Sequence, residues 1–256
     1  MNAKRCNRQL IIYELRNLAG NPFTAFFGII FPCLMLMIIT GAMIKDIPSS
    51  MVTEVNTQIF ISISLIIPMA VVLLGHSSNY SQELEKEIPL RMKLFGFSEK
   101  SMMLAKAIAQ GIAMTIGIII YVVFSIIFIT LKAPTAWGAV CLILCQYSLG
   151  ILFFAFAHGV ASIFKKFGPT YAITMFFYFG AMILCGMMGV ATDELPKSMQ
   201  YLAGMLPMSY ISSDFIDVWN GQSYNFGPMI QSYLFLGAVC GILLLYVIHK
   251  NKRTIH

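Results

Sequence analysis

No Asp, Glu, Lys or Arg occurs between Arg16 and Lys45, and five more such gaps follow: Glu54 to Glu83, Lys106 to Lys132, Lys132 to Lys165, Lys166 to Asp193, and Asp217 to Lys250. The shortest gap, Ala107 to Leu131, is 25 residues long. A helix needs about 20 predominantly apolar residues to cross a bilayer. Charged residues are 11% of the 256, against roughly 25% in soluble domains. This shortage of charge excludes a soluble globular enzyme and leaves the functions that a bundle of helices in lipid can perform.

Further absences narrow the field. No Walker A pattern occurs, which excludes ATP binding by that route, and there is no H-E-x-x-H and no G-x-S-x-G. No carboxylate or lysine falls inside an apolar stretch, where ion-coupled pumps keep such groups. No ring-forming charged position appears, which argues against an ion-selective pore. His158 is read as a histidine at the end of a helix rather than a proton relay. No basic run is dense enough to track phosphates, so nucleic acid is not an expected partner despite the net charge of +6. Of the six cysteines, five fall in apolar stretches and Cys6 precedes the first, so no disulfide framework is expected. Cys141 and Cys145 stand one helical turn apart without a third or fourth ligand, and the run Met182–Met188 is rich in sulfur. Both are read as packing rather than metal sites.

What is present is an ordered alternation. Six spans are expected near residues 23–44, 58–75, 105–129, 138–156, 171–190 and 227–248. The first is too long for a signal peptide and lacks a cleavage pattern. An even number of spans puts both termini on one side. If that side is the cytoplasm, only Lys45, Lys132 and Lys197 lie outside, and the other fourteen of the 17 Lys and Arg, Lys4, Arg5, Lys252 and Arg253 among them, lie inside. Residues 2–19, containing RQLIIYELRNL, read as an amphipathic interfacial helix. Residues 76–103 read as a charged cytoplasmic connection of short helices, punctuated by Pro89 and Gly96. Residues 191–221 hold Pro196, Pro207 and an apolar stretch too short to span, which fits an external re-entrant segment. Gly237 and Gly241 in the last span have the GxxxG spacing that permits close helix approach. The fold class is thus an all-α integral membrane protein with six transmembrane helices.

This arrangement resembles the permease subunit of an ABC-2 type exporter over essentially the whole chain. The best local match is EKEIPLRMKLFGFSEKSMMLAK, Glu85 to Lys106. It is similar to the family's E-R-x-x-x-L-x-x-L-x-x-x-P-x-S loop followed eight residues later by Lys. Glu85, Lys86, Ser98 and Lys106 match, while Glu87-Ile88 replaces the usual Gly-Thr and Gly96 the usual Pro. NLAGNPFTAFFGIIFP and LPKSMQYLAGMLPMSY resemble the family's entry to the first span and its re-entrant segment. The resemblance implies a separate cytoplasmic ABC ATPase, in two copies, that carries ATP and Mg, and a second permease subunit, identical or different. It implies no catalysis and no cofactor on this chain. Docking is expected on Glu83, Glu85, Lys86, Glu87, Arg91, Lys93, Phe95 and Ser98, with charged residues at a rim and Leu94, Phe95 and Phe97 in a cleft. The substrate pathway is expected near Gln58, Ser62, Ser64, Tyr171, Thr174 and Tyr178. These uncharged groups suit an amphipathic substrate such as a drug, a peptide or a lipid-linked product. Two other readings stand beside this one: a sensor or anchor subunit that transmits ATPase motion without moving solute, and a passive channel.

Overall fold

The computed structural model describes residues 6–253, so Lys4 and Arg5 lie outside the described residues. Among the described residues there are helices and no strand. Six helices are long and apolar enough to cross a membrane: Pro22–Met43, Val52–Glu85, Glu99–Phe128, Ala136–Phe164, Phe167–Leu184 and Gly227–Lys250, the last continuing to Arg253. The chain is therefore a multi-pass membrane protein of the expected class. The end that carries most of the Lys and Arg is called the basic end below.

The second span is central. Its most apolar stretch is buried over its whole length, whereas the other five spans turn much of their surface outward. A helix that is apolar all round belongs in an interior. The outward faces carry Ile126, Phe176, Leu234 and Ile242, each more than three-fifths exposed, as lipid-facing side chains are. The first and second spans both change register. A π-helical turn at Phe26–Ile30 precedes Pro32, and another at Met69–Leu74 follows Pro68. Proline has no N–H to donate, and a slipped ladder accommodates that loss. The two turns meet where Gly28 faces Val71, whose Cγ2 would lie 2.6 Å from a Cβ at Gly28.

The connection between the second and third spans is shorter than residues 76–103. The second span runs on to Glu85 and the third begins at Glu99, leaving one short helix, Ile88–Leu94, between them. His76, Ser77, Ser78, Ser81 and Glu83, expected in a surface loop, are buried on the continued span. The fourth span likewise runs past His158 to Phe164, so that histidine is not at a helix end. It stacks on Tyr80 and its Nδ1 has no hydrogen-bond partner. The N-terminal amphipathic helix is present at Arg8–Ala19, with Asn7 Oδ1 accepting from the backbone N–H of Leu10 at 2.9 Å.

Residues 191–221 contain three short helices, Lys197–Gly204, Pro207–Ser213 and Phe215–Trp219. Met208, Ile211, Phe215 and Val218 are buried, and the segment packs between the second, fourth and sixth spans. Trp219 Nε1 donates to the carbonyl of Lys132 at 2.8 Å, and Thr135 N–H donates to the carbonyl of Trp219 at 3.0 Å. Gly138 makes this closeness possible: a Cβ there would lie 2.7 Å from Trp219 Cα and 2.8 Å from the Val218 carbonyl oxygen. The GxxxG pair does no such work within the described residues. A Cβ at Gly237 would meet only Leu152 at 3.7 Å, and one at Gly241 would meet nothing within 4 Å.

Candidate functional site

Two regions at opposite ends of the bundle gather polar groups. At the basic end the N-terminal helix lays a stripe of Leu10, Glu14 and Leu18 against the third span. Residues four apart share a helix face, so Glu14 is carried into the contact by its apolar neighbours. It meets Lys106, whose Nζ donates to Glu14 Oε1 at 2.9 Å and Oε2 at 2.8 Å. The same ammonium reaches the Glu83 carboxylate, with contacts of 2.7 and 2.8 Å. Asn17 Nδ2 donates to Glu83 Oε1 at 2.8 Å. All three charged side chains are at most 8% exposed. One lysine thus holds two carboxylates, joining the N-terminal helix to the second and third spans. Burial raises the pKa of the Glu14 carboxyl, Lys106 opposes that rise, and the Glu83 charge adds to it. Asn21 strengthens the same seam, donating to Ser78 Oγ at 3.0 Å and to Asn79 Oδ1 at 2.6 Å.

The triad corrects two expectations. A lysine and a glutamate do lie within the long apolar helices, at their basic ends. Glu83 is buried and paired, so it does not belong to an exposed rim in this structure. The helix Ile88–Leu94 beside the triad is the surface feature. Glu87 opens it in the left-handed region, at φ 56°, and Gly96 closes the turn after it at φ 90°. Leu90, Leu94 and Phe95 are 55%, 79% and 69% exposed. Lys86, Glu87 and Arg91 are exposed around them, and Lys93 pairs with Glu99. Two other expected docking residues have structural duties. Ser98 caps the third span, its Oγ accepting from the N–H of Ser101 at 3.1 Å. Glu85 Oε2 accepts from the N–H of Phe167 at 3.0 Å, satisfying the first turn of the fifth span. A cavity of about 230 Å³ lies between this short helix and the triad, lined in part by Pro89, Met92, Met102 and Lys106.

At the opposite end, a cavity of about 690 Å³ opens between the first and second spans, the turn after the fifth, and residues 200–214. Gln58 and Ser62, both expected on a substrate pathway, line it. The others do not. Ser64 Oγ accepts from Gln146 Nε2 at 2.8 Å, Thr174 and Ser77 hydroxyls lie 3.1 Å apart, and Tyr178 is wholly buried. Tyr171 stacks on Phe167 and packs at a tilt against Phe23 near the basic end. They pack spans together, because the second span is enclosed and its hydroxyls meet neighbours instead of a lumen. Ser209, Ser212 and Tyr210 of the inserted segment reach the cavity instead. They were not expected there, since their place depends on how residues 207–219 insert. Near this end, burial first and then the Asp214 carboxylate push the Tyr224 phenol up to about 12.

No curated protein matches the chain. A family model described as ABC-2 family transporter protein matches residues 43–248. The matched region takes in five spans, the short helix Ile88–Leu94 and the inserted segment. The chain therefore belongs to the ABC-2 transporter family and is the permease, the membrane-spanning component, of an ABC transporter.

Proposed function

We propose that this chain forms half of an export pathway whose energy comes from a separate cytoplasmic ATPase docked on the helix Ile88–Leu94. The observation that carries the reading is the pairing of an exposed apolar patch with a buried brace. Leu90, Leu94 and Phe95 project at the basic end, which the distribution of Lys and Arg assigns to the cytoplasm. Large exposed apolar side chains rimmed by charge are the ordinary anatomy of a protein interface. ATP and Mg belong to the partner, in two copies, and a second permease subunit, identical or different, completes the pathway.

The geometry supports a route for the stroke. A displacement of Ile88–Leu94 pulls on the second span directly. It reaches the fifth span through the Glu85 bond to Phe167 N–H, and the third span and N-terminal helix through Lys106. The second span crosses the bundle to Gln58 and Ser62 at the far cavity, interrupted at Leu65 and at the π-turn Met69–Leu74 where its ladder is loosened. The substrate is an amphipathic molecule, in keeping with a cavity that mixes apolar walls and polar groups.

The test is gentle extraction of the tagged full chain, identification of what copurifies, and assay of vanadate-sensitive ATP hydrolysis. A stoichiometric ATPase supports the reading. A preparation repeated in nanodiscs that carries no ATPase and moves no solute with ATP rejects it.

A further inference from the structure

The large cavity is unbalanced in charge. Its wall is apolar, with Ile39, Ile59, Ile63, Cys185 and Met187. Its rim carries Asp193, Glu194 and Asp214, all exposed, and no ion pair engages them among the described residues. Among the described residues no Lys or Arg lines it. Gln58 and Ser62 stand one turn apart on the second span, on one face of the helix. Gln58 Nε2 donates to the carbonyls of Ser212 and Ser213, the second at 2.8 Å, which fixes the amide and leaves its oxygen turned elsewhere. That oxygen is buried without a donor. Among the described residues the hydroxyl of Ser62, itself only 7% exposed, meets no hydrogen-bond partner. Gln58 Oε1 is closed off from the cavity, whereas the Ser62 hydroxyl lines it; a nine-tenths-buried hydroxyl without a partner is uncommon in folded proteins and marks a place for a group from outside the chain. The site therefore offers acceptors and negative charge, and lacks any cation of its own.

We infer that this cavity binds an organic cation, an alkylammonium or guanidinium on an apolar body of drug size. The three rim carboxylates attract the charge, and an N–H group donates to the Ser62 hydroxyl. The apolar body rests on Ile59, Ile63 and Met187. A volume of about 690 Å³ falls in the range of pockets that enclose a drug-sized ligand. An anion is disfavoured by the three rim carboxylates, which repel it with no lysine or arginine in the lining to offset them. That the bound cation is also the exported substrate rests on the permease reading; the binding itself does not.

The probe is dansylcadaverine, a primary alkylamine charged at pH 7 as lysine is, compared with its neutral N-acetyl derivative. The full chain with its copurifying partners is placed in nanodiscs of zwitterionic lipid, and dansyl emission is titrated. The amine is expected to bind about tenfold or more tightly than the acetylated probe. Asp193→Asn with Glu194→Gln and Asp214→Asn should abolish that preference while leaving the neutral probe's affinity unchanged, which also shows that the cavity still folds. Ser62→Ala should weaken the amine more than the neutral probe. Equal binding of the two probes, or variants that leave the preference intact, overturns the inference. Amine preference without ATP-driven movement keeps the site and removes its coupling to export. ATP-driven movement of other solutes without amine preference keeps the permease and removes the site.

Discussion

Replacing Lys106 by methionine tests the brace at the basic end directly. Methionine keeps the apolar stem and deletes the ammonium, leaving Glu14 and Glu83 buried and facing each other. Each carboxylate lies within 2.9 Å of Lys106 Nζ. The nearest oxygens of the two are therefore no more than about 5.6 Å apart, and at an effective dielectric of about 20 their repulsion is about 3 kcal/mol. Mutational experience with buried ionic clusters gives about 3–5 kcal/mol for removing one partner. Uptake of a proton by the pair caps the loss near the lower figure. Unfolding of purified protein in nanodiscs, followed by Trp emission, should show a midpoint lower by roughly 6–12 °C. Trypsin should also cut faster at Arg16, exposed on the N-terminal helix, as that helix releases. Adding Glu14→Gln and Glu83→Gln to the Lys106→Met variant should restore most of the lost stability, because a neutral cluster no longer strands a charge. A single variant within about 1 kcal/mol of the parent, or a triple variant that stays as unstable as the single one, would refute the account.

Four more outcomes follow from the same geometry. The Glu14 pKa is raised above 4.5, so its burial favours the fold below the unfolded-state value and that contribution is lost as pH rises through the raised value. Glu14→Gln should flatten the fall in midpoint across that window, as read from parallel melts at stepped pH. Leu94→Asp combined with Phe95→Asp should strip the ATPase from the purified complex and leave the melting midpoint unchanged. Anchors of this kind each contribute about 2 kcal/mol or more at interfaces. Gly138→Ala should destabilise by about 1–3 kcal/mol, since its Cβ has no room beside Trp219. Gly241→Ala, with nothing within 4 Å, should be neutral or slightly stabilising in the same melts.

Much of this architecture can be read from charge alone. The gaps between Asp, Glu, Lys and Arg mark six spans because lipid tolerates few charges, and the shortness of residues 197–219 as apolar helices marks an insertion rather than a crossing. The short helix at Ile88 is legible from Pro89 and Gly96. The ends of the spans are not legible from the same rule. Lys106 and Glu83 bound the apolar gaps, and the spans expected from them end at residue 75 and begin at residue 105. The helices in fact run on to Glu85 and back to Glu99, because each charge finds its partner within the protein instead of in water.

The triad did leave a trace in the sequence. Glu14 stands four residues after Leu10 and four before Leu18, in the middle of the buried stripe of an amphipathic helix. Lys106 lies on a buried face with Met102, Ala105, Ala109 and Gln110. A single charge on an apolar stripe is usually a fault in the pattern; two of opposite sign, on helices that must pack, are a pair. The cavity left a weaker trace. Gln58 and Ser62 were legible as a polar face, but so were Ser64, Thr174 and Tyr178, which the structure spends on packing. What separates the two sets is the insertion of residues 207–219, whose Ser212 and Ser213 carbonyls hold the Gln58 amide. A polar face on a central span becomes a site only where another segment stops short of covering it, and that depends on contacts between residues more than 150 apart.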